Sequence, residues 1–197
     1  MVMEYNVILA DPPWPSVSTG PRGNASDNYK LMTLDEIRRV RVPAAPDCAL
    51  FLWARSPALP EALQVMAAWG FRFVTVAFCW EKVSSRGEPM WGIGLYTRPS
   101  TELCLLGLRG KLEVKAHDVG QVIRARRGPH SRKPDEQYDL IERLFGDLPR
   151  IELFARREIV GWDSWGNQVG DGAAPSESQQ EDEQNKPAGG LDKLWEG

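Results

Sequence analysis

Val7-Ile8-Leu9-Ala10-Asp11-Pro12-Pro13-Trp14-Pro15 is the stretch on which the fold turns. Four consecutive apolar residues predict a strand buried on both faces, as in a parallel sheet packed between helices. Because that strand runs into a carboxylate, two prolines and an indole, it predicts a functional loop at its carboxyl end, where open α/β sheets bind ligands. Working outward, residues 49–53, 71–80, 103–108 and 150–156 form further apolar, strand-like runs. Helical patterns alternate with them. Thr33-Leu-Asp-Glu36 is a capping box opening a helix through about Val40, with Pro43 beyond it. Ser56-Pro57 predicts an N-cap followed by proline at N1, opening a helix that stops at Gly70 with Leu59, Leu63, Met66 and Ala67 as its apolar stripe. Residues 133–145 predict an amphipathic helix with Pro134 at N1 and acids in its first turn. Alternating strands and helices predict an α/β, doubly wound and mainly parallel sheet.

The Asp-Pro-Pro-Trp order carries a specific chemistry. An exocyclic amine on a heteroaromatic ring is a poor nucleophile because its lone pair is delocalised into the ring. Accepting both of its N–H hydrogens frees that lone pair. The Asp11 carboxylate can take one hydrogen and the Pro12 carbonyl the other, since proline keeps its acceptor while losing its donor. Pro13 completes the motif, and Trp14 is placed to stack on the ring. The plain alternative is a strand followed by an Asp-Pro turn with Trp14 capping a core.

These residues resemble the catalytic motif of amino-methyltransferases, in the form found in the adenine-N6 methyltransferase family of the eukaryotic mRNA adenosine methyltransferase and its bacterial and phage relatives. The resemblance runs from about Tyr5 to Val169. It implies a Rossmann-like fold dependent on S-adenosylmethionine, with permuted motif order, since the catalytic motif precedes the cofactor segments. It further implies that the loop after Trp14 covers the base, Tyr29 serving either as a base contact or as ordinary packing. Glu102, at the start of a Leu-rich strand, corresponds to an acidic residue that contacts the target adenosine, and Arg98 lies on the loop that delivers it. Ser131-Arg-Lys-Pro-Asp-Glu136 resembles the family's cofactor segment, so Lys133 is assigned to the cofactor, along with Asp11. The amino end of the following helix suits the methionine carboxylate. Glu152-Leu-Phe-Ala-Arg156 and the ending Gly166-Asn167-Gln168 resemble the segments that hold the cofactor ribose and adenine, which assigns Arg156, Asn167 and Gln168 to it. Nothing is carried over between Arg157 and Val160, where the chain departs from the family pattern.

Composition is consistent with these assignments. The 197 residues allow one sizeable domain, and 42% hydrophobic content suffices for a core. Cys48, Cys79 and Cys104 lie in apolar runs without metal-like spacing, which predicts buried thiols in a reducing cytoplasm. Two histidines, His117 and His130, leave little for a metal site, and none is expected. No run of about 18 apolar residues predicts a membrane span, so the expectation is a soluble, cytoplasmic protein. Residues 170–197 are acidic and poor in apolar area, predicting a disordered tail after a 1–169 methyltransferase domain. That tail carries a charge of −5 of the overall −3, leaving +2 on residues 1–169. The stretch from Arg109 to Lys133 is the densest in basic residues and predicts phosphate contacts. Gly92-Ile-Gly94 follows no strand and opens no helix, which excludes a nucleotide loop. The resulting expectation is methyl transfer to the N6 amine of adenine in nucleic acid. DNA is favoured over RNA because the chain is small and shows no separate target-recognition domain. A homodimer or partner subunit stays open. The alternative is an inactive family member acting as a nucleic-acid-binding scaffold.

Overall fold

The structure, a computed structural model, describes residues 3–15, 31–94, 96–128, 132–166 and 169. Tyr29, most of the loop after Trp14, Asn167, Gln168 and the acidic segment 170–197 lie outside the described residues. Seven strands form one sheet: β1 (Tyr5–Ala10), β2 (Ala44–Ala54), β3 (Arg72–Val83), β4 (Thr101–Arg109), β5 (Val122–Arg126), β6 (Arg150–Leu153) and β7 (Asp163–Trp165). Their order is β5-β3-β4-β2-β1-β6-β7. The helices are α1 (Leu34–Arg39), α2 (Leu59–Ala68) and α3 (Glu136–Phe145).

Alternation along β1 sorts the core into two layers, because successive side chains of a strand point to opposite faces. Ile8 and Ala10 pack with Leu50, Leu52, Ile37 of α1 and Ala62, Val65 and Met66 of α2. Val7 and Leu9 pack with Phe51, Phe78 and, from α3, Tyr138, Ile141 and Phe145. Helices therefore cover both faces, as the unbroken apolar run of β1 predicts. Each such large side chain contributes roughly 1.5–3 kcal/mol relative to leaving it exposed.

The sheet is mainly parallel. β1 pairs parallel with β2 and with β6, β6 with β7, and β3 with β5. Strand β4 alone runs against its neighbours β2 and β3. A parallel β3–β4 pair would require a crossover, usually helical, whereas residues 84–100 contain no helix among those described. The reversal brings the first residues of β4 to the same edge as the last residues of the other six strands.

Several local expectations shift. Thr33 does close a capping box with Glu36. Ser56, however, is not an N-cap: Ser56–Ala58 is a single 3-10 turn, and α2 starts at Leu59 with Pro60 in its first turn. The buried stripe of α2 is Ala62, Val65 and Met66, with Leu63 exposed, so the face turned to the sheet is the one bearing Ala62 and Val65 and not Leu63. Pro134 precedes α3 instead of occupying N1, and Asp135 is its cap. Strand β6 stops at Leu153, short of Arg156. Part of the basic stretch is the edge strand β5: Arg124 pairs with Glu81 at 2.7 Å and Arg126 donates to the Ser85 carbonyl at 3.0 Å. Those two arginines are therefore engaged within the fold. Among the described residues no helix is long and apolar enough to cross a membrane.

Candidate active site

Strand order changes direction about β1, with β2 on one side and β6 on the other. The carboxyl end of β1 is thus a switch point of the sheet, and it delivers Asp11. Period-two alternation then decides what surrounds it. Val7 and Leu9 face α3, and Asp11 continues that parity. Phe51 and Trp53 of β2, Phe78 and Trp80 of β3 and Cys104 of β4 share the face. Continuing the same parity to the strand ends adds Lys82 of β3 and, because β4 is reversed, Glu102 at its start. Ile151 and Leu153 of β6 pack on the opposite layer, which turns Glu152 toward Tyr138 of α3.

Lys133, just before α3, closes this row. Its Nζ lies 2.6 Å from Asp11 Oδ2 and 3.3 Å from Glu102 Oε2. Glu102 Oε1 meets Lys82 Nζ at 2.5 Å. The result is an alternating chain, Asp11–Lys133–Glu102–Lys82, whose side chains are 21%, 10%, 11% and 21% exposed. The ammonium of Lys133 also sits 5.5 Å from the centroid of the Trp53 ring. Trp53 is fixed by its own indole N–H, which donates to Gln137 Oε1 at 2.7 Å. Burial works against charge on Lys133, but Asp11 and Glu102 outweigh it and raise its pKa above the ordinary lysine value. Burial likewise pushes the Glu102 carboxyl up, yet Lys133 and Lys82 together hold it below the usual carboxylate range. Every charge in the row is thus paired, the condition under which buried ions persist.

Trp14 has a different environment from the base-stacking one the sequence suggests. It is 6% exposed and belongs to the layer packed by α1 and α2. Its indole N–H donates to the Trp53 carbonyl at 2.9 Å, and its backbone N–H donates to the Pro12 carbonyl at 2.8 Å. The Pro13 carbonyl accepts from Met32 N–H at 3.1 Å, and Arg55 donates to the Pro15 carbonyl at 3.0 Å. The turn is therefore anchored at several points. Among the described residues Trp14 N–H is the backbone donor to the Pro12 oxygen, which has a second lone pair for a further hydrogen bond.

At the end of β6 the backbone of Phe154 takes φ 61°, the one positive φ outside glycine among the described residues. Such a conformation costs on the order of 1–3 kcal/mol and persists where surrounding structure imposes it. Here Phe154 stacks on Trp69 and meets Trp165 edge-on. The turn sends the chain through Ala155 to Arg156, which is half-buried. Arg157 pairs with Asp135 at the start of α3. Gly166, the glycine before Asn167, lies so close to the Ala155 backbone that a Cβ there would stand 2.2 Å from the Ala155 oxygen. Glu152 accepts the Tyr138 hydroxyl hydrogen bond at 2.9 Å. Its pKa is pushed up to about 7, first by burial and further by the Asp11 charge, against the pull of the Tyr138 hydrogen bond and of Arg157 and Lys133.

Beside Glu102 a cleft of about 280 Å³ opens, lined by Arg55, Lys82, Trp91, Ile93, Glu102 and Arg127 among others. Arg98 does not line it but lies 5.1 Å over the Trp91 ring that does. The fold thus gathers Asp11, Lys133 and Glu102 into direct contact and sets Arg156 at the neighbouring strand end. Lys82, Glu152 and Tyr138 were missed from the sequence. Parity was the available signal: a lysine two residues beyond a buried tryptophan at a strand end, and a glutamate between two buried residues of β6. Among the described residues no three His, Cys, Asp or Glu side chains converge as metal ligands.

A lysine ammonium beside a carboxylate, at the end of a central strand and before a helix, fits the amino-acid end of S-adenosylmethionine, which carries one carboxylate and one ammonium. Residues 5–168 match the MT-A70 family model. The chain is 34% identical to the type II methyltransferase M.MunI of Mycoplasma sp. over 93% of this chain and 85% of that protein. It is 34% identical to an N(6)-adenosine-methyltransferase MT-A70-like protein of Arabidopsis thaliana over 84% of this chain. It is 32% identical to the human N(6)-adenosine-methyltransferase catalytic subunit METTL3, also over 84%. The matched region spans only about a quarter of these two eukaryotic relatives, 24% and 28% of their lengths.

Proposed function

We propose, on the premise that this chain belongs to the MT-A70 family, that it transfers a methyl group from S-adenosylmethionine to the N6 amine of adenine in nucleic acid, with DNA as the preferred substrate. The observation that carries this reading is the contact between Asp11 and Lys133, residues 122 positions apart in sequence and 2.6 Å apart in space. It joins the amine-polarising motif to the cofactor lysine. DNA is preferred because the similarity to the type II methyltransferase extends over most of both chains, whereas the eukaryotic adenosine methyltransferases share only a part.

S-adenosylmethionine, when bound, supplies a methyl group on a sulfonium leaving group. Lys133 and Asp11 would hold its amino-acid end, and Arg156, with Asn167 and Gln168 by resemblance, its ribose and adenine. The protein's remaining task is position and polarisation. Asp11 accepts one hydrogen of the adenine amine and the free lone pair of the Pro12 carbonyl accepts the other, returning electron density to nitrogen. Trp14, locked to the Trp53 carbonyl, keeps that turn in shape from below. Glu102, held ionised by Lys133 and Lys82, is an acceptor toward the base beside the cleft. A duplex substrate requires the adenine to leave the stack.

Transfer of labelled methyl from S-adenosylmethionine to DNA and RNA, followed by mass spectrometry of the nucleosides, tests the reading. N6-methyladenine is expected, more in DNA, with loss of at least about a hundredfold in Asp11→Ala. Near-normal turnover by that variant overturns the role of Asp11. Calorimetric titration with S-adenosylmethionine separates the enzyme from an inactive scaffold, which would give no heat of binding.

A further inference from the structure

We propose that Trp91, with the Arg98 guanidinium against it, is a stacking platform for a nucleotide flanking the target adenine. The inference rests on the nucleic-acid reading above and assigns it a new subsite. Trp91 is 60% exposed, a large aromatic surface left open to solvent, and Ile93 and Tyr96 nearby are almost fully exposed. Exposure of this kind marks a binding surface when it is contiguous and held rigid.

Rigidity comes from the backbone on either side. Met90 N–H donates to the Lys82 carbonyl at 2.8 Å, and Gly92 N–H donates to the Pro99 carbonyl at 2.7 Å. Trp91 sits between those two anchors. Gly94 belongs to the same device, since a Cβ there would stand 1.9 Å from the Thr97 oxygen. The Gly92-Ile-Gly94 stretch therefore serves a tight turn that presents the indole. Below it, Arg124 and Arg126 of β5 reach the Gly87 and Ser85 carbonyls and pin the base of the loop to the sheet. A preformed aromatic surface loses little freedom when a ligand stacks on it.

The surroundings select the occupant. The cleft walled by Trp91 also carries Arg55, Lys82 and Arg127, with Glu102 as the one carboxylate among the described residues that line it. Arg98 lies over the ring, 5.1 Å from its centroid, and the ring itself walls the cleft where a base would stack. Aromatic surface interleaved with cations suits a polyanion with flat bases. A strand lying here with its target base at Glu102 would put the neighbouring base at Trp91 and phosphates at the arginines. A covering protein would instead close the approach to Glu102.

The test compares wild type, Trp91→Ala, Trp91→Phe and Arg98→Gln in methyl transfer to unmethylated bacterial genomic DNA and to a total RNA pool, with sedimentation of each protein as control. Trp91→Ala is expected to raise KM at least about fivefold, with the smaller change in kcat, and Trp91→Phe to recover most of the loss. Arg98→Gln, which removes the cation over the ring and keeps the indole, should raise KM by a smaller factor than Trp91→Ala. Unchanged KM in Trp91→Ala, while wild type labels a pool, removes the subsite and leaves the enzyme reading intact. Wild type that labels neither pool removes both. A Trp91→Ala protein whose sedimentation shifts along with its KM assigns the face to a protein partner and also overturns the proposal.

Discussion

Replacing Lys133 by methionine removes the one cation shared by two carboxylates. Its contacts at 2.6 and 3.3 Å involve side chains only 10–21% exposed, so little water stands ready to replace them. Breaking a buried pair from one side costs roughly 3–5 kcal/mol, because the remaining charge is left desolvated. Lys82 still reaches Glu102 at 2.5 Å, which places the expected loss near the lower figure, about 3 kcal/mol. For a chain of this length that corresponds to a fall in Tm of about 6–12 °C. The pH dependence follows from linkage. In the wild type Glu102 has a lowered folded pKa, so its contribution is present above the ordinary carboxylate pKa and fades as pH falls through the folded value. In the variant Lys82 alone opposes the burial of Glu102, so its folded pKa lies higher than in wild type and acidification relieves part of the cost. Urea denaturation at about pH 8 and about pH 5 should therefore give a larger difference between wild type and Lys133→Met at the higher pH. A difference under about 1 kcal/mol, the value of an exposed pair, would refute the buried network. So would a difference that grows on acidification.

Three further outcomes follow from the geometry. Glu152 has a folded pKa of about 7 against an ordinary value near 4.5, so the native state holds the proton that the unfolded chain releases between those values. Stability therefore falls as pH rises through that window, and Glu152→Gln, which still accepts from Tyr138, should gain about 3 kcal/mol on wild type between about pH 5 and pH 8 in denaturant titrations. Trp14→Phe deletes the buried donor to the Trp53 carbonyl and should cost about 1–3 kcal/mol by the same measurement; an unchanged midpoint would mean that the indole is not held as described. Thr33→Ala removes the side-chain acceptor for Glu36 N–H at 3.2 Å and should lower stability by about 1 kcal/mol, read as a Tm decrease of a few degrees.

The charged row has a consequence for ligand order. Lys133 is assigned to the cofactor and touches Glu102, which is assigned to the base. Whatever occupies one side alters the charge balance felt on the other. Affinities for S-adenosylmethionine and nucleic acid should then be coupled, and reciprocally so. Comparing the Kd for S-adenosylmethionine with and without DNA checks this in wild type and in Glu102→Gln, where the coupling should shrink.

Much was legible from the chain alone because its signals are local. The apolar run at Val7 to Ala10 specified a two-sided strand and the capping box specified α1, while the Asp-Pro-Pro-Trp order at the strand end is the basis on which the chemistry is proposed there. The resemblance of Ser131 to Glu136 to a family segment singles out Lys133 from the sequence. Tertiary structure alone decided the direction of β4, which pairs antiparallel with β3, the described residues between the two strands containing no helix. That reversal sets Glu102 beside Lys133 and recruits Lys82, two ion pairs that no local pattern encodes. It was also tertiary packing that turned the Trp14 ring into the core and made part of a basic stretch into the edge strand β5. The physical reason is the range of the forces involved. Backbone propensity and side-chain period act over a few residues, whereas the pairing of buried charges depends on which strand ends meet, and sheet closure is what brings positions 11, 82, 102 and 133 together.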